Sequence, residues 1–114
     1  HCPLNDSNSE MVNEEFLKKM KSSAYLINTA RGGLVSEQHL KQALNQDWIA
    51  GAALDVVSEE PISETSVLLD AKKCLLAPHM AWAALESRER LMQTTAENIA
   101  TFISGRPQNV VNAI

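Results

Sequence analysis

The stretch Tyr25-Leu-Ile-Asn-Thr-Ala-Arg-Gly-Gly33 sets a lone arginine and two glycines at the end of a short apolar run, just ahead of a helix-like pattern. In open α/β sheets, ligands bind in the crevice beyond the carboxyl ends of the strands. Arg31 in that position offers a planar fork suited to a carboxylate and reads as a substrate clamp. Gly32 and Gly33 would permit tight turning and close approach of the backbone to a ligand. Pro78-His79 closes another apolar run and brings an imidazole, the side chain suited to proton transfer near neutral pH. Between them lie Asp55, at the end of a third apolar run, and the acidic pair Glu59-Glu60. Taken singly, each has a plainer reading: a surface arginine, a loop histidine, a turn aspartate, a solvated acidic loop.

The elements needed to position these residues are legible in the apolar periodicity, which switches repeatedly between strand-like runs and helix-like faces. Ser9 is read as the cap of a first helical stretch centred on Asn13 to Met20, with acidic residues early and lysines late, as the helix dipole prefers. Ala24 to Asn28 reads as a buried parallel strand, apolar on both faces. Ser36 would cap a helix running to about Gln46, with Val35, Leu40, Ala43 and Leu44 inward. Ile49 to Val57 forms a second strand whose small residues admit a closely packed helix, Val67-Leu-Leu a short apolar turn, and Cys74 to Ala77 a third strand. A long helix spans Leu85 to Ile103 and stops at Ser104-Gly-Arg-Pro107. Strands alternating with helices predict an α/β fold with a parallel sheet and helices on both faces.

The bulk composition narrows the function. With 114 residues the chain fits one domain, and its 45% hydrophobic but 4% aromatic content suits an aliphatic core rather than a base-stacking platform. Ten basic against 14 acidic residues, a net charge of −4, argue against nucleic acid as the main partner. No apolar run approaches the roughly 20 residues of a membrane span. Cys2 and Cys74 show neither metal-ligand spacing nor a disulfide framework; both read as reduced thiols of a cytoplasmic protein, Cys74 as a small buried hydrophobe. The N-terminus carries no signal-peptide pattern, and its lack of an initiator Met suggests a boundary within a longer chain.

Several blocks, in order, resemble the D-isomer-specific 2-hydroxyacid dehydrogenase family: His1-Cys-Pro-Leu, Met20-Lys, Leu26-Ile-Asn-Thr-Ala-Arg-Gly, Ala50-Gly-Ala-Ala-Leu-Asp-Val, Glu60-Pro, Ala77-Pro-His79, Gly105-Arg-Pro and Asn109-Val-Val-Asn112. The resemblance covers nearly the whole chain. It implies the second half of a Rossmann-type NAD-binding domain over residues 1–103, and a tail, 104–114, returning toward a substrate domain. The glycine-rich GxGxxG turn and the acidic residue for the adenosine ribose would then lie upstream. Without that half, these residues alone would bind NAD weakly or not at all and would leave a sheet edge and an apolar face exposed.

The resemblance also implies roles. Arg31 would anchor the substrate carboxylate and polarise the adjacent carbonyl, and His79 would donate the proton that hydride addition to a ketone requires. The family's glutamate precedes a proline about five positions after the aspartate, which selects Glu60 over Glu59 as the carboxylate that favours the imidazolium and fixes its tautomer. Asp55 would contact the nicotinamide carboxamide, and Cys2, Pro3, Thr29, Ala30, Arg31, His79 and Ala81 would complete the contacts to NAD or NADP. His39 is read as structural, and no metal site is expected.

Two departures from the family pattern are Asn5, where a threonine is common, and His79-Met-Ala-Trp82, where a glycine often follows the histidine. The tryptophan resembles the glycerate dehydrogenase (hydroxypyruvate reductase) branch. The expected activity is therefore hydride transfer between NAD(P)H and a small 2-oxo or D-2-hydroxy acid, with hydroxypyruvate and D-glycerate favoured, in a homodimer. The phosphoglycerate and D-lactate branches share these motifs; the formate branch is disfavoured because it replaces the acidic partner with an amide. A non-catalytic, dinucleotide-sensing protein resembling the co-repressors of this family is the alternative from another class.

Overall fold

The computed structural model describes residues 2–112. His1, the head of the first motif, and the tail positions 113 and 114 lie outside the described residues. The chain divides into two compact units, the first ending at Met80 and the second beginning at Ala81.

In the first unit, helix α1 (Glu14–Lys18) leads to strand β1 (Tyr25–Asn28), helix α2 (Glu37–Asn45), strand β2 (Gly51–Leu54) and strand β3 (Cys74–Leu76), with 3-10 turns at Gly32–Leu34 and Val67–Asp70. The three strands lie in the order β1-β2-β3 and run parallel, in the register Asn28–Leu54–Leu76. Parallel strands in this register end side by side, so the segments after Asn28, Leu54 and Leu76 emerge along one edge of the sheet.

The core is formed on one sheet face. Ala52 and Leu54 point there, against Leu17 of α1, Leu40, Ala43 and Leu44 of α2, Ile49, and Leu68 of the second 3-10 turn. The i, i+3, i+4 spacing in α2 puts its three apolar residues on one side, which is the side that is buried. Helix α2 ends in a Schellman motif: Asp47 takes a positive φ of 56°, and the Trp48 amide donates to the Ala43 carbonyl at 2.8 Å.

The opposite sheet face is apolar and exposed, as expected of these residues without the upstream half and unlike the expectation of strands buried on both sides. Tyr25, Ile27 and Leu75 are 69%, 71% and 68% exposed. The helices of this unit share the other face, so alternate strand side chains meet none of them.

One capping assignment changes, and another holds in position only. Ser9 does not start α1; Asn13 does, its side chain accepting from the Phe16 amide at 3.1 Å. Residues 6–10 form turns, Glu10 has a φ of 50°, and Val12 bridges in parallel to Val35, which delays the helix until the chain has left that bridge. Ser36 stands at the cap of α2, but its side chain makes no capping bond. Strand β2 is also shorter than the apolar run, because the chain leaves the ladder after Leu54.

The second unit contains helix α3 (Leu85–Ile103), with the bounds read from the sequence. It ends in a second Schellman motif, with Gly105 at φ 72° and the Arg106 amide donating to Thr101 at 2.9 Å. No residue of α3 is buried.

Candidate active site

The carboxyl ends of the three strands supply the chemistry. After β1, the buried Asn28 side chain stitches the turn that follows: its Oδ1 accepts from the Ala30 amide at 3.0 Å and its Nδ2 donates to the Arg31 carbonyl at 2.9 Å. The Arg31 backbone is thereby held extended and its guanidinium is exposed, with Nη1 donating to the Ala30 carbonyl at 2.6 Å. Cys2, Pro3, Thr29, Ala30 and Arg31 line a groove of about 330 Å³ at this strand end. Asn28 was not singled out in the sequence; a lone amide closing an apolar run was the available signal.

After β2, Asp55 is buried, and its amide donates to the Asn28 carbonyl at 2.9 Å. Its Oδ1 accepts from the Met80 amide at 2.8 Å, which ties the end of β2 to the segment after β3. Past Val57 the chain turns so that Glu60 reaches back: Oε1 accepts from the Val57 amide at 3.2 Å, and Oε2 lies 2.6 Å from His79 Nδ1.

After β3, the Ala77 amide continues the ladder to the Leu54 carbonyl at 2.9 Å, and His79 follows with a φ of 53°. This left-handed conformation is uncommon for a residue with a Cβ and costs on the order of 1–2 kcal/mol. Strain of this kind persists where the surroundings over-determine it, commonly at functional sites. Here Asp55 holds the next amide and Glu60 holds the ring. The His79 ring first, and then the Val57 amide, hold the Glu60 carboxyl below the usual carboxylate range. The pair borders a cavity of about 690 Å³ with Asp55, Ile62, Leu69 and Pro78 among its walls.

The structure thus brings together Glu60, His79 and Asp55, while Arg31 lines a separate groove at the end of β1 with Cys2, Pro3, Thr29 and Ala30. Ala81 opens the second unit and is exposed. The chain turns tightly at Gly32–Leu34, as expected of the glycines after Arg31. Neither glycine has a positive φ, and the Gly32 α-carbon lies against protein: a Cβ there would stand 2.0 Å from the Val57 carbonyl carbon.

A nicotinamide cofactor fits these residues in kind. The groove is walled by the small side chains of Cys2, Pro3, Thr29 and Ala30 beside Arg31, and a buried carboxylate, Asp55, stands at the neighbouring strand end where a carboxamide could donate to it. Among the described residues, no three His, Cys, Asp or Glu side chains converge as metal ligands.

Comparison with known proteins identifies the family of the chain. Residues 1–81 match the family described as D-isomer specific 2-hydroxyacid dehydrogenase, NAD binding domain. The chain belongs to this family. The chain is 47% identical over 112 residues to a hydroxypyruvate reductase from Blautia hydrogenotrophica, covering 98% of this chain and 35% of that protein. It is also 47% identical to a glycerate dehydrogenase from Methylorubrum extorquens, covering 99% of this chain and 37% of the relative. Among solved structures, the NAD-complexed D-isomer specific 2-hydroxyacid dehydrogenase from Lactobacillus delbrueckii superposes with a TM-score of 0.81 at 33% identity, over 98% of this chain and 38% of that one. An acyclic imino acid reductase complexed with NADPH and D-Arg superposes with a TM-score of 0.85 at 35% identity, over 98% of this chain and 36% of that one. The chain therefore spans about a third of the length of the curated relatives it matches. No helix of the described residues is long and apolar enough to cross a membrane.

Proposed function

We propose that the complete protein reduces small 2-oxo acids to D-2-hydroxy acids with NADH or NADPH, and catalyses the reverse oxidation. The observation that carries this reading is the 2.6 Å pairing of Glu60 Oε2 with His79 Nδ1 at the carboxyl edge of a parallel sheet. When bound, the reduced nicotinamide supplies the hydride to the substrate's carbonyl carbon. Residues 1–103 contribute half of the cofactor domain in this reading, and 104–114 lead toward the substrate domain.

The residues of this chain do the rest. Arg31 binds the substrate carboxylate through its guanidinium fork and polarises the neighbouring carbonyl. With Nδ1 engaged by Glu60, His79 gives its proton to the substrate oxygen from Nε2, and Glu60 balances the imidazolium charge. Asp55 accepts from the nicotinamide carboxamide, with Cys2, Pro3, Thr29, Ala30 and Ala81 contributing further contacts, chiefly through backbone groups. In the oxidation direction His79 takes the proton back.

Hydroxypyruvate and D-glycerate are the favoured pair, supported by the Trp82 departure and by relatives named hydroxypyruvate reductase and glycerate dehydrogenase. The reading includes a cytoplasmic homodimer. NADH oxidation by the complete protein with hydroxypyruvate, glyoxylate and pyruvate tests it. Turnover, fastest with hydroxypyruvate, is expected; binding of NADH without turnover on any 2-oxo acid would overturn the enzymatic reading in favour of a dinucleotide-sensing role.

A further inference from the structure

The hydrogen bonds around Glu60 do not end at Val57. The Val57–Ser58 peptide that opens the catalytic turn is gripped from two sides. On one side lies Gly32, next to Arg31: a Cβ at this position would meet the Val57 carbonyl carbon at 2.0 Å, its oxygen at 2.1 Å and the Ser58 nitrogen at 2.4 Å. The peptide plane therefore lies directly against the Gly32 α-carbon. On the other side, the Ser58 amide donates to Glu37 Oε1 at 2.7 Å, across 21 residues of sequence. Glu37 is the first residue of α2, whose inward side chains Leu40, Ala43 and Leu44 are fully buried, so its backbone is anchored in the core.

Resting on the oxidoreductase reading above, we propose that Glu37 is a positioning residue for the acid–base pair. From the fixed start of α2 it holds the Val57–Ser58 peptide against Gly32. That peptide follows directly from the Val57 amide that orients Glu60 Oε1, and Glu60 Oε2 in turn orients His79. The same peptide keeps the turn bearing Arg31 in register with the turn bearing Glu60, because Gly32 follows Arg31 in the chain. One hydrogen bond thus links the carboxylate clamp to the proton donor without touching substrate. Small displacements of catalytic groups carry large rate penalties, which makes such a contact consequential.

Gly32→Ala would test the steric side but can prevent folding, so Glu37 carries the experiment. In the complete protein, Glu37→Ala is expected to lower kcat for hydroxypyruvate about tenfold or more, with a much smaller change in KM. Glu37→Gln, whose amide oxygen still accepts from Ser58, is expected to retain most of the activity. In parallel, carbon-13 NMR of Glu60 should show its titration midpoint rising toward the ordinary 4.5 in Glu37→Ala and remaining low in Glu37→Gln. Wild-type kcat with an unmoved Glu60 midpoint in Glu37→Ala would overturn the positioning role. So would equal impairment of the alanine and glutamine variants. If the unsubstituted protein turns over no 2-oxo acid, the functional reading fails separately, and the Glu60 midpoint alone decides: raised in Glu37→Ala it supports the positioning contact, unmoved it refutes it.

Discussion

Glu60 and His79, 19 residues apart in the chain, meet at 2.6 Å between Oε2 and Nδ1 where the segments leaving β2 and β3 converge. Each is also fixed from behind. The Val57 amide holds the other Glu60 oxygen, and the Asp55 carboxylate holds the amide immediately after His79. An imidazole constrained in this way presents a defined ring nitrogen to a substrate, which general acid catalysis requires before any consideration of acidity.

Glu60→Gln is expected to lower kcat/KM about a hundredfold, at the lower end of what general acid–base catalysis supplies. Steady-state kinetics on the complete protein checks it. A variant within about twofold of the unsubstituted enzyme would remove Glu60 from the mechanism.

The pairing also has a signature in pH. Because Glu60 loses its proton more readily folded than unfolded, the pair contributes stability above the ordinary carboxylate value of 4.5 and loses it as the pH falls through the lower, folded value. Replacing His79 by Asn removes the larger cause of that depression, so the Glu60 midpoint should move up toward 4.5 in an NMR titration. An unchanged midpoint would contradict the assignment.

Arg31→Lys is expected to lower kcat/KM by about tenfold or more, since an ammonium cannot reproduce the planar fork. Arg31 is exposed, so thermal unfolding should shift by no more than about 0.5 kcal/mol equivalent. Loss of folding together with activity would assign Arg31 a structural role instead.

The two thiols should separate chemically. Cys2 is exposed in the groove beside Arg31, whereas burial first, and then the charge of Glu37, push the Cys74 thiol up from its ordinary value. Iodoacetamide at neutral pH should label Cys2 well before Cys74, and NADH should slow labelling of Cys2 only. Labelling of Cys2 unaffected by saturating NADH would remove it from the cofactor groove.

The fold and the site were legible to different depths. Helix α3, Leu85 to Ile103, could be bounded because a long periodic run ends at Gly105, which takes the positive φ that a Schellman stop requires. The strands could be found because short apolar runs precede Arg31, Asp55 and His79, although hydrogen bonding trims β2 to four residues. The start of α1 was misread because Ser9 and Asn13 are both good caps, and the choice depends on the Val12–Val35 bridge to a distant segment. An exposed apolar face was expected, but that Tyr25 and Ile27 lie on it was not legible, because an apolar residue looks the same whether or not a neighbour covers it. Motif order brought Arg31, Glu60 and His79 forward. Among the contacts that hold them, the Asn28 turn is local, whereas those from the Gly32 α-carbon against Val57 and from Glu37 to Ser58 join distant segments through space and leave no periodic trace.

The most direct measurement is NADH oxidation by the complete protein with hydroxypyruvate, comparing the unsubstituted enzyme with His79→Asn. If His79 is the proton donor, the substitution lowers kcat by about 10²- to 10⁴-fold while NADH still binds. A His79→Asn enzyme turning over at the unsubstituted rate would contradict that role.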